Sequence, residues 1–302
     1  MTGLRSTPRV HPRVLSIAGT DPTGGAGIQA DLKSIAANGG YGMAVVTALV
    51  AQNTRGVRSV HIPPAAFLLE QLDAVSDDVT IDAVKIGMLG RVDLIDAVAG
   101  WLARVRPPVI VLDPVMIATS GDRLFDASAE DALRALVPLV HLVTPNLPEL
   151  AVLVNDAEAA DWAEALEQGE RLSRATGTLV LVKGGHLAGP DCPDALVDAA
   201  GTEPGQAHIV QVSGPRIDTP NTHGTGCSMS SGLATLAARH GDWPRALTET
   251  KAWLSDSVAF AGELEVGGGN GPINHFHALW TAGGFASGCA AGPGPFDTPG
   301  LG

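Results

Sequence analysis

Short runs of branched apolar residues alternate along the chain with stretches whose apolar positions recur every three or four residues. The first pattern fits buried strands and the second amphipathic helices, and their alternation marks repeated βαβ units around a mainly parallel sheet. The spacing predicts strands over residues 14–19, 44–52, 83–88, 109–113, 142–145 and 179–183, and helices over 26–38, 65–75, 92–105, 127–136 and 159–176. Strand-like runs at 195–198 and 209–212, joined by a loop at 201–206, read as an antiparallel edge, and helices over 225–240 and 244–264 close the fold. One α/β domain over 13–280 is expected. The polar, proline-bearing residues 1–12 and the Gly/Ala/Pro-rich residues 281–302 are expected to be disordered.

Composition agrees with that picture and narrows the partners. A chain of 302 residues with 45% hydrophobic content can bury one large core. Nineteen basic against 32 acidic residues give a net charge of −13, which argues against a surface that tracks nucleic-acid phosphates. An anionic substrate must then be met locally. Cys192, Cys227 and Cys289 lack zinc-type or CxxC spacing, and the start of the chain lacks a signal-peptide pattern, so a reduced, cytoplasmic setting without a structural metal is expected. No apolar run reaches the ~18 residues of a membrane span.

In open parallel sheets ligands bind beyond the carboxyl ends of the strands, so polar residues just past each strand carry the candidate chemistry. Asn221-Thr222-His223-Gly224-Thr225-Gly226-Cys227 opens a long helix of small residues. Unpaired N–H groups in a first helical turn and the helix dipole can hold a phosphate, and the same dipole would lower the thiol pKa of Cys227. The competing reading is an ordinary glycine-rich turn before a buried helix. Gly25 to Ala30 fits a dinucleotide GxGxxG/A pattern, but the second strand ends in Gln52 rather than a ribose-binding acid, and no GxxxxGK[ST] loop occurs.

Asp113 and Glu149 offer the oxygen ligands a hard cation such as Mg2+ prefers, partly through water; alternatively one caps a loop and the other faces a helix dipole. Lys183 could neutralise a transferring phosphate or snorkel at the surface. Lys251 could cover a nucleotide or lie on a solvated helix face. Glycine and proline near 116–122 suggest a closing flap, with a plain surface turn as the alternative. His186, His275 and His277 lack metal-type spacing and read as structural. His223 is a neighbour of Cys227 in sequence, which does not make it a base for a thiol-dependent hydrolase.

The run from Ala18 to Asp31, together with Thr47 to Val57 and the C-terminal His275-Phe276-His277-Ala278-Leu279-Trp280, closely resembles the hydroxymethylpyrimidine/phosphomethylpyrimidine kinases of thiamine biosynthesis. The resemblance covers residues 14–280. It implies a ribokinase-like three-layer αβα sandwich and two successive phosphorylations, by MgATP, of 4-amino-5-hydroxymethyl-2-methylpyrimidine and of its monophosphate. By position, Gln52 would bind the amino group and a ring nitrogen of the pyrimidine, within a pocket of Gly19, Asp31, Val50 and Met88. A Gln amide offers both an acceptor and a donor, which suits an aminopyrimidine edge. Asp31 could instead only orient its neighbours.

The same resemblance makes Cys227 the general base, where most ribokinase-like enzymes carry an aspartate. Gly224, Thr225 and Gly226 would stabilise the transferring phosphoryl group, and Asp113, Asn146, Glu149, Lys183 and Lys251 would hold the nucleotide. It also implies a homodimer. A pyridoxal kinase is the nearest alternative, and Gln52 weighs against it, since pyridoxal-preferring relatives tend to carry a nonpolar residue there. A catalytically silent pyrimidine sensor would be expected to have lost Cys227, a glycine or an acid of the site, and all are present.

Overall fold

A computed structural model describes residues 9–116 and 127–285. The suggested flap lies almost entirely outside these residues, as do residues 1–8 and 286–302. Nine strands form one sheet in the order β3-β2-β1-β4-β5-β6-β7-β8-β9. Its parallel centre comprises β1 (Arg13–Gly19), β2 (Tyr41–Asn53), β4 (Ala83–Ile86), β5 (Ile110–Leu112), β6 (Leu142–Val143) and β7 (Leu179–Lys183). Antiparallel strands finish both edges: β3 (Gly56–His61) on one side, and β8 (Asp194–Asp198) with β9 (His208–Val212) on the other.

Side chains alternate across the sheet, so each central strand feeds two cores. Leu15, Ile17, Val84, Ile86, Leu112, Val143, Val180 and Val182 pack beneath α2 (Ala65–Ser76), α3 (Val92–Val105), α4 (Ala127–Leu136), α5 (Leu147–Val154) and α6 (Trp162–Thr176). Val14, Ala83, Val111, Leu142 and Leu181 face the opposite layer, made by α1 (Gly27–Ala37), α7 (Thr225–His240) and α8 (Trp243–Ala259). This is the three-layer αβα sandwich.

Three parts of the fold differ from the pattern-based expectation. The second strand runs on to Asn53 and turns back as β3, whose Arg58 and Ser59 hide it from a hydrophobicity reading. A separate helix, α5, starts at Leu147, because Asn146 caps it: its side chain accepts from the Glu149 N–H while the Glu149 carboxylate accepts from the Asn146 N–H. At the C-terminal end, a short helix, α9 (His277–Ala282), runs across residue 280. At the other end, the Pro12 carbonyl accepts from the Tyr41 N–H, which ties residue 12 to the sheet.

The chain moves from β1 to β2 on one side and later returns to place β4 on the other. This reversal opens a crevice above the carboxyl ends of β1 and β4.

Candidate active site

The crevice is a cavity of about 660 Å³ at the strand ends. Gly19, Val50, Gln52 and Met88 line one end; Asp113, Asn146, Glu149, Lys183 and Lys251 line the other; Gly224 to Cys227 stand between them. Every candidate residue read from the sequence is in this wall except one. Asp31 is fully buried behind it, paired with Lys85 at 2.7 Å and hydrogen-bonded by Ser16 and Ser231. It therefore supports the pocket from behind, contrary to its expected place in the pyrimidine wall.

Two loops clamp together to form the central wall. Gly224 caps α7 with φ +83°, and a Cβ there would lie 1.7 Å from the Gly25 carbonyl oxygen, so only glycine fits. Asp21 fixes the facing loop: its carboxylate accepts from the Thr23 hydroxyl and from the N–H groups of Thr23, Gly25 and Ala26. His223 Nε2 lies 2.8 Å from the same carboxylate, joining the two loops. Burial works against the Asp21 charge, but bonds from His223, Thr23 and Gln52 outweigh it and hold the carboxyl well below the usual range. His223 Nε2 is thus committed to Asp21.

At the mouth of α7, Thr225 turns its N–H toward the Thr222 carbonyl at 3.3 Å. The amides of Gly226 and Cys227 remain as the first-turn donors for an anion, so Thr225 contributes less backbone than expected. The N–H of Gly27, the first residue of α1, favours the Cys227 thiolate. Two helix starts therefore converge on it. Burial nevertheless pushes the thiol up to about 11, with Lys85 pulling the other way and Asp31 and Asp113 adding to the rise. The expected lowering by the helix end is overruled by desolvation and two nearby carboxylates.

At the far end, carboxylates outnumber ammonium groups. Asp113 accepts from Lys183 at 3.4 Å, Thr144 at 3.2 Å and Ser230 at 3.3 Å. Burial pushes Glu149 up to about 7; Lys183 opposes that shift and Asp113 reinforces it. Lys183 itself is raised: burial lowers it, but Asp113, Glu149 and Asp194 prevail. Lys251 is buried rather than solvated, 2.6 Å from Asp194 and 2.8 Å from the Cys192 carbonyl. Among the described residues no group of three or more His, Cys, Asp or Glu is placed to cage a metal. Two carboxylates in a polar cavity do fit a hard cation that keeps most of its water.

His275 Nε2 bonds the Ser228 hydroxyl at 2.9 Å, and burial lowers its pKa to about 3, so it is a neutral structural partner. Asp21, Lys85, His223 and Asp194 escaped the sequence reading as chemistry. A lysine inside the apolar strand Ala83-Val84-Lys85-Ile86 and an acid inside a glycine-rich loop were the available signals.

A family model described as phosphomethylpyrimidine kinase matches residues 21–274. The chain belongs to this family. A hydroxymethylpyrimidine/phosphomethylpyrimidine kinase of Escherichia coli is 51% identical over 267 residues, covering 88% of this chain and 98% of the relative. The thiamine biosynthesis multifunctional protein of Corynebacterium glutamicum is 57% identical over 266 residues, covering 88% of this chain and 34% of the relative. The chain thus spans about a third of the length of that multifunctional protein and of a second one like it.

Solved structures agree on the fold. A phosphomethylpyrimidine kinase from Clostridium difficile superposes with a TM-score of 0.70 at 33% identity, covering 82% of this chain and 99% of that one. A Bacillus subtilis pyridoxal kinase, solved as an ADP complex, gives 0.76 at 30% identity, covering 89% and 99%. The phosphomethylpyrimidine kinase family therefore shares its architecture with pyridoxal kinases, and the choice between the two substrates rests on the pocket.

Proposed function

We propose that this chain transfers the γ-phosphoryl group of ATP to 4-amino-5-hydroxymethyl-2-methylpyrimidine and then to the resulting monophosphate, in thiamine diphosphate biosynthesis. The observation that carries the reading is Gln52 at one end of a cavity whose middle wall is the glycine-rich start of α7. Gln52 stands on the side of the pocket where it favours the Asp21 carboxylate. A carboxylate only accepts, so the Gln52 NH2 suits the side facing Asp21, and the amide oxygen can accept from an aminopyrimidine.

In the first step the hydroxymethyl oxygen forms a bond to Pγ while the bond from Pγ to the bridging oxygen breaks, leaving ADP. The hydroxyl proton passes to the Cys227 thiolate, which becomes a thiol. Amides of Gly226 and Cys227 hold the phosphoryl oxygens, and Lys183 offsets the negative charge. Asp113 and Glu149 would hold Mg2+ through water, and the ion when bound would neutralise phosphate charge. In the second step the acceptor is a phosphate oxygen, already ionised near neutral pH, so no proton need leave it.

Pyridoxal kinase is the second reading, favoured by the 0.76 superposition on the Bacillus subtilis enzyme. Phosphorus NMR of the protein with MgATP and the pyrimidine, beside a parallel reaction on pyridoxal, tests both. Monophosphate followed by diphosphate is the expected result; pyridoxal phosphate alone would move the chain to the second reading, and no product from either would revive the sensor.

We further infer a cytoplasmic homodimer. The family resemblance carries this reading; exposed Tyr41, Leu49 and Val60 leave apolar side chains at the β2–β3 edge of the sheet, and no described helix is long and apolar enough to cross a membrane. Sedimentation of the protein should give twice the chain mass, and a strictly monomeric species would remove the inference.

A further inference from the structure

A lysine with a fully buried side chain is rare, and Lys85 is one of the largest fully buried side chains in the protein. It sits on the face of β4 that also carries Ala83, toward α1 and α7. Opposite it in register on β1 is Ser16. Lys85 Nζ contacts both Asp31 oxygens, at 2.7 and 2.9 Å, while the Ser16 and Ser231 hydroxyls donate to the same carboxylate at 2.6 and 2.8 Å. The carboxylate is saturated. Burying such a pair gains little stability over an apolar packing of the same volume, so stability alone does not account for it.

Placement supplies the missing reason. Lys85 reaches the cavity wall, as does Cys227, whereas Asp31 does not. Ser231 follows Cys227 by four residues on α7, so both lie on one helix face, and that face meets Asp31. The geometry points to Lys85 as a positioning residue that acts through Cys227: its ammonium, anchored by Asp31, fixes a positive charge beside the sulfur and favours the thiolate that can accept the substrate proton. The other groups acting on the sulfur are Asp31 from α1, Asp113 beyond β5 and the Gly27 N–H, and Lys183 Nζ, at the end of β7, stands beside the neighbouring Gly226. Lys85 is the strongest influence among them toward the anion, and burial the strongest against it.

Its role in turnover rests on the pyrimidine-kinase reading, but the charge itself can be tested without turnover. Iodoacetamide alkylation of Cys227, followed by peptide mass spectrometry across pH, reads the thiolate fraction directly. Lys85→Met removes the cation and should slow alkylation about tenfold at a fixed pH below the thiol midpoint, which is one unit of pKa. Asp31→Asn leaves the cation without its anion and should speed alkylation several-fold. Both variants break the same ion pair, so a purely structural role moves both rates in one direction. Opposite shifts support the inference; shifts of the same sign, or none, overturn it.

Should Lys85→Met fail to fold, Asp31→Asn decides alone, with faster alkylation for the inference and unchanged or slower alkylation against it. In kinetics, Lys85→Met should move the alkaline-rising limb of first-step kcat upward in pH. An unchanged limb in a folded Lys85→Met protein counts against the inference. If the unaltered protein phosphorylates neither substrate while the alkylation rates still move apart, the kinase reading falls and the placement of charge stands.

Discussion

The two ends of the cavity handle buried charge in opposite ways. At the pyrimidine end the charges are matched: Asp31 has Lys85 and two hydroxyls, and Asp21 has three backbone N–H groups, the Thr23 hydroxyl and His223. At the other end Asp113, Glu149 and Asp194 share Lys183 and Lys251, and Glu149 is pushed up to about 7. A matched network holds its shape without ligand, whereas an unmatched one has charge left for a cation and phosphates to complete. The pyrimidine pocket is built as a rigid template, and the nucleotide end is finished only when it is filled.

Cys227 stands at the junction, and its replacement should give the largest effect. Cys227→Ala is expected to lower kcat of the first phosphorylation by about 10²–10⁴, the usual contribution of a positioned base, while leaving pyrimidine binding intact. The second phosphorylation should fall much less, because its acceptor oxygen has no proton to lose. Separate rates for the two steps decide it. Near-normal first-step turnover would sink the base assignment, and equal losses in both steps would mean that the residue matters for positioning rather than proton removal.

Gln52 tests the template itself. Gln52→Met would leave the pyrimidine amino group without an acceptor inside a buried pocket, at a cost of about 1–3 kcal/mol, or roughly 5- to 150-fold in kcat/KM. Pyridoxal lacks that amino group, so its kcat/KM should hold or rise. Competition between the two substrates measures the ratio. An unchanged ratio would show that the matched end does not set specificity.

How far such an asymmetry can be read from sequence depends on how local the cause is. The αβα fold was legible because strands that feed a core on each face, as Val14/Leu15, Ala83/Val84 and Leu142/Val143 do, read as short continuous apolar runs, a property of the strand alone. The glycine-rich start of α7 was legible for the same reason. Partnerships across the fold were not: Asp31 meets Lys85 54 residues away, Lys251 meets Asp194 57 away, and His223 meets Asp21 202 away. Asp31 was therefore expected in the pocket wall, and Lys251 could not be separated from a solvated lysine. The Cys227 thiol was misjudged in sign, because a helix start is visible in sequence and desolvation is not.

The last effect belongs to the unmatched end, and it is one of stability. Glu149 has an ordinary pKa of 4.5 and is held near 7 in the fold, mainly by burial. A raised carboxylate pKa means that the folded state binds the proton more tightly than the unfolded chain. Its contribution is therefore most favourable below pH 4.5 and is lost as pH rises through about 7. Glu149→Gln keeps a side-chain acceptor for the Asn146 N–H in the capping box and removes the buried charge. In buffer free of divalent cations the variant should be more stable than the parent by about 1–3 kcal/mol above neutral pH, with the difference vanishing near pH 4. Denaturant midpoints at the two pH values measure it. A difference that persists undiminished at acid pH would mean that the Glu149 charge is not what burdens the nucleotide end, and the contrast between the two ends would then have to rest on Asp113 and Asp194.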